Sequence, residues 1–450
     1  MRTKPWLRLT VLALAVATAA PAAAAPEPKT RSTPEIGVLL VDHGEPPGYN
    51  ELTYESFKEF FDYVIEMGLI PSWVKLIDSG TVTQDVDCFN CPQPSAQPEL
   101  MDAWLDPHPA AVYVPASDSL PAHYIVPGGP GLGEPDIFEY VGLTAWHEWE
   151  VMGGRSPNYD QKLPKKLAVI NALEERYGNN LPIEIGYGID PRIDGKRQNV
   201  RVAVEALVED GVEHLVVAYH GVGFSDIMQT HMLRHEIDEI LDEIAPEVAL
   251  SYADPIGTTD EYVRAVVTKA AAEVRRLPAK APIAIHLSGH GLPTDMCGEY
   301  DCGSDAYHAV ARDLFERTRA AILERVDHEG DLGVFHIYGD GGSGDDDPND
   351  EVDSPLEALA KRKKAGYEFV VDIPYEFDSD SRDTLIILRA GYARPEGEWN
   401  RRFESRFTHD GLKVKITNSS FGTRAKTAAY EAVVVDEIDR VRDEGSAHSH

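Results

Sequence analysis

The chain has 450 residues with 43% hydrophobic content, too long for one small core and enough for two or three domains at ~150 residues each. Lys plus Arg number 42 against 76 Asp plus Glu, a formal charge of −34. That balance excludes a nucleic-acid backbone or an anionic membrane as the main partner, since both require a basic face. Divalent cations, by contrast, are drawn toward such a surface.

The first residues read as an export signal. Arg2, Lys4 and Arg8 precede an apolar run at 9–17, and Ala22-Ala23-Ala24 supplies a small-residue cleavage site. Cleavage is expected between Ala24 and Ala25, removing residues 1–24 and sending the mature protein to the periplasm or outside the cell. The run is shorter than the roughly twenty residues that a spanning helix needs, so no transmembrane segment is expected. In an oxidising compartment Cys88/Cys91 and Cys297/Cys302 read as two short-loop disulfides. The alternative is one metal or iron–sulfur site with four thiolates drawn from both pairs.

Regular structure begins with the strand Ile36-Gly37-Val38-Leu39-Leu40-Val41 and the turn Asp42-His43-Gly44-Glu45-Pro46-Pro47. Phe57, Phe60, Phe61, Val64 and Ile65 carry helical spacing within 51–70, and a Pro-, Gly- and Asp-rich excursion follows at 80–135. The pattern then predicts a helix at 164–178, a strand at 183–189, a helix at 195–210, a strand at 214–219 and a helix at 226–244. A second series has a helix at 260–276, a strand at 282–288, a helix at 304–326, a strand at 332–338 and a helix at 354–365. Strands at 367–373 and near 384–389 and a helix at 424–443 complete it. Strands alternating with helices predict an α/β protein of two Rossmann-like lobes with parallel sheets, 35–246 and 247–440. The lobes are expected to face each other across a cleft at the carboxyl ends of their strands. The stretch 339–353 packs Asp340, Asp345, Asp346, Asp347, Asp350, Glu351 and Asp353 into one loop. It reads as a solvated loop, with Ca²⁺ binding the alternative because that ion takes about six to eight oxygens.

No G-x-S-x-G, P-loop, strand-linked G-x-G-x-x-G or H-E-x-x-H occurs, so nucleophilic hydrolysis, phosphoryl transfer and dinucleotide redox chemistry lack their usual signatures. The chain instead has a histidine after each of three strands: His43, His220 and His290. Imidazoles gathered at one edge of α/β sheets suit binding of a divalent metal or movement of protons.

Five segments resemble the ferrochelatases, single-subunit enzymes that insert Fe²⁺ or Co²⁺ into tetrapyrroles. Gly37-Val38-Leu39-Leu40-Val41-Asp42-His43-Gly44-Glu45-Pro46 is similar to the family's first strand and N-x-G-x-P turn. Met152-Gly153-Gly154-Arg155-Ser156-Pro157 is similar to I-G-G-x-S-P. The segment 186–193, a helix, Gly211 and the strand ending Ala218-Tyr219-His220 follow the family's order through L-P-L-Y-P-Q-Y. Ser288-Gly289-His290-Gly291-Leu292-Pro293 resembles S-A-H-S-L-P, whose His is catalytic. The segment 371–385 resembles V-x-x-P-x-x-F-x-S-D-H-x-E-T-L, with Asp383 at the Glu and Ser381 at the His.

The resemblance implies a lyase of haem biosynthesis that inserts ferrous iron, or Co²⁺ or Zn²⁺, into a porphyrin-type ring. It implies His290 as base or metal ligand with Asp383 as acidic partner, and His220 and His43 as further ligands. Tyr219 and Arg155 are the candidates for contact with the macrocycle or its carboxylates. A non-catalytic metal- or haem-binding protein on the same fold is the alternative.

Overall fold

The computed structural model describes residues 35–48, 56, 59, 112–114, 123–125, 152, 154–222, 233–289, 304–338, 352–381, 384–385, 388–392 and 405–447. Residues 1–34, all four cysteines, His290, Asp383 and most of the acidic stretch lie outside these residues.

In chain order the elements begin with β1 (Ile36–Asp42) and a short hairpin of β2 (Val112–Val114) and β3 (His123–Ile125). Helix α1 (Asn158–Tyr177), β4 (Ile183–Tyr187), α2 (Val200–Glu209), β5 (His214–Tyr219), α3 (Leu233–Ile244) and β6 (Ala249–Tyr252) follow. The second series is α4 (Asp260–Val274), β7 (Ile283–Gly289), α5 (Ser304–Arg325), β8 (Leu332–Tyr338), α6 (Pro355–Lys364) and β9 (Phe369–Pro374). A one-turn helix α7 (Leu388–Gly391), β10 (Arg406–His409), β11 (Leu412–Ile416) and α8 (Thr423–Ala447) end the chain.

Local chemistry sets the boundaries. Asn199 accepts from the Val202 amide at 3.1 Å to start α2, and Thr259 accepts from the Tyr262 amide at 3.2 Å to start α4. Ser354 and Glu357 form a capping box at α6, with Pro355 in the first turn. β1 is buried at every residue, as a central parallel strand covered on both faces must be.

The first sheet is wholly parallel in the order β4-β1-β5-β6. The second runs β10-β11-β9-β7-β8, parallel apart from the antiparallel β10–β11 pair. The described residues are therefore α/β, with two large sheets besides the β2–β3 hairpin. Pairing of β6 with β5 carries the first sheet to Tyr252, past the 246/247 division expected from sequence.

One apolar core spans both sheets. Val38, Leu40, Val216 and Ala218 from the first join Ile283, Ile285, Leu287, Val371 and Ile373 from the second, with Val266, Tyr430, Val434 and Ile438 from α4 and α8. Helix α8 comes last in sequence yet packs on α1, β5 and α4. Its Tyr430 hydroxyl donates to the Ala218 carbonyl at 2.9 Å, and Asp439 meets Arg176 and Tyr177 of α1, each at 2.8 Å.

The strand expected near 384–389 is not formed. After β9 the chain turns, Thr384 Oγ1 accepts from the Ser381 amide, and the Leu385 amide donates to the Ser381 carbonyl at 2.9 Å. Those bonds wind 384–385 into a helical turn. Thr384 is β-branched but spends its hydroxyl on the turn.

Because α8 covers both sheets, residues 35–252 expressed alone should expose the apolar face that Tyr430, Val434 and Ile438 bury. The fragment should bind a hydrophobic dye and lack a cooperative thermal transition. A fragment that melts cooperatively would show that the first sheet is a self-sufficient lobe.

Candidate functional site

The carboxyl ends of β1, β5 and β9 meet at a buried charged cluster. β1 ends at Asp42, β5 is followed by His220, and β9 by the turn that carries Asp378, and all three side chains are about 1% exposed. Helix α1 supplies Lys162, Lys165 and Lys166, spaced i, i+3 and i+4 so that they share one face. Lys162 and Lys166 each donate to one oxygen of Asp42 at 2.8 Å. Lys165 donates to the Asp378 carboxylate and, at 2.8 Å, to the Asp378 carbonyl. From α8, Lys426 donates to the carbonyls of Phe377 at 2.9 Å and Ser419 at 2.8 Å.

His220 sits between the two carboxylates. Its Nε2 is 2.6 Å from Oδ2 of Asp378, and its Nδ1 is 3.9 Å from Oδ2 of Asp42. Neither nitrogen has an acceptor or donor in hydrogen-bond alignment, and the ring stacks on Tyr430 at 4.6 Å. Burial pushes the imidazole down to about 4, against the pull of Asp378, so it is neutral at pH 7. Burial alone would raise Asp42, but the ammonium groups of Lys162 and Lys166 hold it well below the ordinary carboxylate range. Asp378 is likewise held down, against its burial, by Lys165 and His220. Burial also brings Lys166 to about 8 and Lys426 to about 7.

The turns around the cluster pack closely. Gly44 has φ +80°, and a Cβ there would come within 2.2 Å of the Ile189 carbonyl, so only glycine fits. His43 beside it is half-buried, and its carbonyl accepts from the Ile189 amide at 2.6 Å.

A second polar group lies at the carboxyl end of β7. The carboxyl of Glu376 sits against the α-carbon of Gly289, where any Cβ would come within 2.3 Å of it. On β8, His336 Nε2 lies 3.3 Å from Glu376 Oε1 and 3.0 Å from the Tyr375 hydroxyl. Phe315 stacks on the imidazole at 4.9 Å. Glu376 and His336 thus form a carboxylate–imidazole pair next to the residue that precedes His290.

The sequence-derived candidates separate in space. His220 and His43 belong to the β1–β5 edge, where His220 is enclosed by the lysine–aspartate cluster. Tyr219 lies against the other layer, its ring stacked on Tyr252 at 6.0 Å and its hydroxyl buried without a partner. Arg155 is on the surface and holds Asp160 through two 2.8 Å hydrogen bonds. His290 and Asp383 lie outside the described residues, so their meeting stays an expectation. Among the described residues no three His, Cys, Asp or Glu side chains are grouped to hold a metal. Asp353, the described acidic residue of the 339–353 stretch, pairs with Lys361 and Arg362, and calcium has no support there. No described helix is long and apolar enough to cross a membrane.

Neither a protein-family model nor a curated protein matches this chain. Among solved structures it is similar to SirB from Bacillus subtilis with Fe³⁺, at a TM-score of 0.37 and 15% identity, over 61% of this chain and 88% of that one. The sirohydrochlorin chelatase SirB from Bacillus subtilis subspecies spizizenii in complex with cobalt gives 0.34 and 13% over the same shares. Likeness of this degree says nothing of this chain's ligand.

The cluster makes two predictions. Asp42→Asn leaves two buried ammonium groups without their carboxylate and should cost about 3–5 kcal/mol in urea unfolding. His220 takes its proton near 6.5 when unfolded but only at about 4 when folded. The unfolded chain therefore binds the proton first, and stability should fall as pH drops from 6.5 toward 4. His220→Gln should flatten that part of the stability–pH curve; an unchanged slope would assign it to other groups.

Proposed function

We propose that this chain is an exported chelatase that inserts a first-row divalent metal, ferrous iron first and Co²⁺ or Zn²⁺ as alternatives, into a porphyrin-type tetrapyrrole. Metal and macrocycle are both substrates. The observation that carries the reading is the Glu376–His336 pair set against Gly289. Gly289 belongs to the Ser288-Gly289-His290-Gly291-Leu292-Pro293 segment, which resembles the catalytic histidine segment of the ferrochelatases.

Insertion must remove two pyrrole N–H protons while the metal sheds its waters on one face of the ring. An imidazole at residue 290 can take a proton or hand over the metal, and Asp383 can hold the charge that results. Glu376 and His336 add a second acceptor pair, already joined to each other, for the other proton. His220 has a different task, because the ammonium groups of three lysines pair with its carboxylate neighbours and repel a free cation.

The test is anaerobic incubation of the protein with protoporphyrin and Fe²⁺, Co²⁺ or Zn²⁺, following the Soret band. Turnover supports the enzyme, and a stoichiometric spectral change without turnover supports a metal- or haem-binding protein. Glu376→Gln should slow insertion by about 10²–10⁴-fold, the range for a general acid–base group. A wild-type rate in that variant would remove Glu376 from the chemistry. Export is tested by mass spectrometry of protein recovered outside the cytoplasm, which should begin at or near Ala25; an intact Met1 rejects it.

A further inference from the structure

Beneath the carboxyl end of the second sheet lies a polar chain that plays no direct part in the proposed chemistry. Asp372 on β9 is fully buried and accepts from the Ser288 hydroxyl of β7 at 2.5 Å and from the Tyr392 hydroxyl just after α7. His286, also fully buried, bonds the same tyrosine through Nδ1 at 2.9 Å, and its Nε2 has no partner. The groups facing Asp372 are thus Ser288 and His286 from β7 and Tyr392 just after α7. Arg362 of α6 acts on Tyr392 and His286 from further off and is itself paired with Asp353. Among the described residues no cation pairs with Asp372, which sets it apart from Asp42 and Asp378.

The chain continues to the mouth of the sheet. The Ser288 carbonyl accepts from the Tyr375 amide at 3.1 Å, and the Tyr375 hydroxyl bonds His336 Nε2 at 3.0 Å. Next to Ser288, Gly289 packs against the Glu376 carboxyl. A change at Asp372 therefore reaches His336 through three hydrogen bonds, one of them between backbone groups, and Glu376 through the neighbouring Gly289 and Tyr375.

We infer that Asp372 is a positioning residue whose gain or loss of a proton resets the ends of β7 and β9, and with them the Glu376–His336 pair. An ionised Asp372 can only accept, and so holds both hydroxyls. A protonated one donates one of its bonds, which turns Ser288 or Tyr392 to accept instead. Burial, opposed only by those two hydrogen bonds, pushes Asp372 up to about 7, so the change falls in the physiological range. The catalytic meaning of this coupling rests on the chelatase reading; the coupling itself does not.

The experiment follows the backbone amides of Gly289 and Tyr375 against pH in the ¹⁵N-labelled protein without metal or tetrapyrrole. Both should shift with one inflection near pH 7 that Asp372→Asn abolishes. Ser288→Ala should shrink the inflection at Gly289 and Tyr375 while the Tyr392 amide keeps it. Flat wild-type amides, or an inflection that survives Asp372→Asn, overturn the inference. If that variant fails to fold, an inflection unchanged in Ser288→Ala does the same. In an active enzyme kcat should share the inflection while KM for protoporphyrin does not, and a kcat without it removes the positioning role. A protein inert toward every metal and protoporphyrin but with the amide inflection intact would sink the chelatase reading and leave the coupling standing.

Discussion

Burying a carboxylate costs several kcal/mol unless a cation comes with it, and this fold buries two where its sheets meet. Asp42 closes the central strand of the first sheet, and Asp378 lies in the turn after β9 of the second. The lysines of α1 offset that cost for both, since they reach both carboxyl-bearing residues. One helix face therefore sets the spacing between the two strand edges. Asn158 and Gln161 of the same helix extend the hold to Ser379 and Asp380. The turn that carries Glu376 is thereby fixed to α1 before any substrate arrives. Such prior fixing is what positioned acid–base groups require.

The same requirement divides the histidines into two kinds. His220 is pushed toward neutrality by burial, with Lys165 and Lys166 adding to the shift, and it sits between two carboxylates inside the protein. His336 stays half-buried, with one carboxylate and one hydroxyl at a single nitrogen. A histidine after a strand at a sheet edge is thus an ambiguous sign. What decides its role is the charge that neighbouring helices bring, and strand-end spacing carries no record of that.

Most of the α/β alternation was legible because buried parallel strands are continuous apolar runs, and β5 and β8 fall on their expected residues. β6 escaped because Ala249-Leu250-Ser251-Tyr252 is too short for a periodicity, and the sheet rather than the sequence makes it a strand. The β10–β11 hairpin had a sign that went unread. Asp410-Gly411, both at positive φ, is the turn pair such hairpins favour, and Leu412-Lys413-Val414-Lys415-Ile416 alternates as a half-buried strand. Placing the start of α1 at 164, where Pro164 suits a first turn, left Lys162 outside the helix and hid the spacing of the three lysines. Glu376 and His336 were missed for another reason. Their pairing depends on the β7–β8 and β7–β9 registers, which set Gly289 beside Tyr338 and Ser288 beside Pro374.

Three of the buried aspartates show how one fold gives a single residue type different tasks. Asp42 and Asp378 face lysines that hold their carboxyls well below the ordinary carboxylate range, against burial. The Asp372 carboxylate accepts only from hydroxyls, so its charge is opposed by burial with no compensating cation among the described residues. The first two are fixed charges that hold the sheets together, and a fixed charge cannot report on pH. The third is balanced near neutrality beneath the residues proposed to accept protons. Lysine placement makes this difference: α1 and α8 deliver ammonium groups to the edges of β1, β5 and β9, while β7 brings Ser288 and His286 to the level of Asp372. A lysine at either of those β7 positions could pin Asp372 in its charged form and turn a responsive carboxyl into another rigid strut.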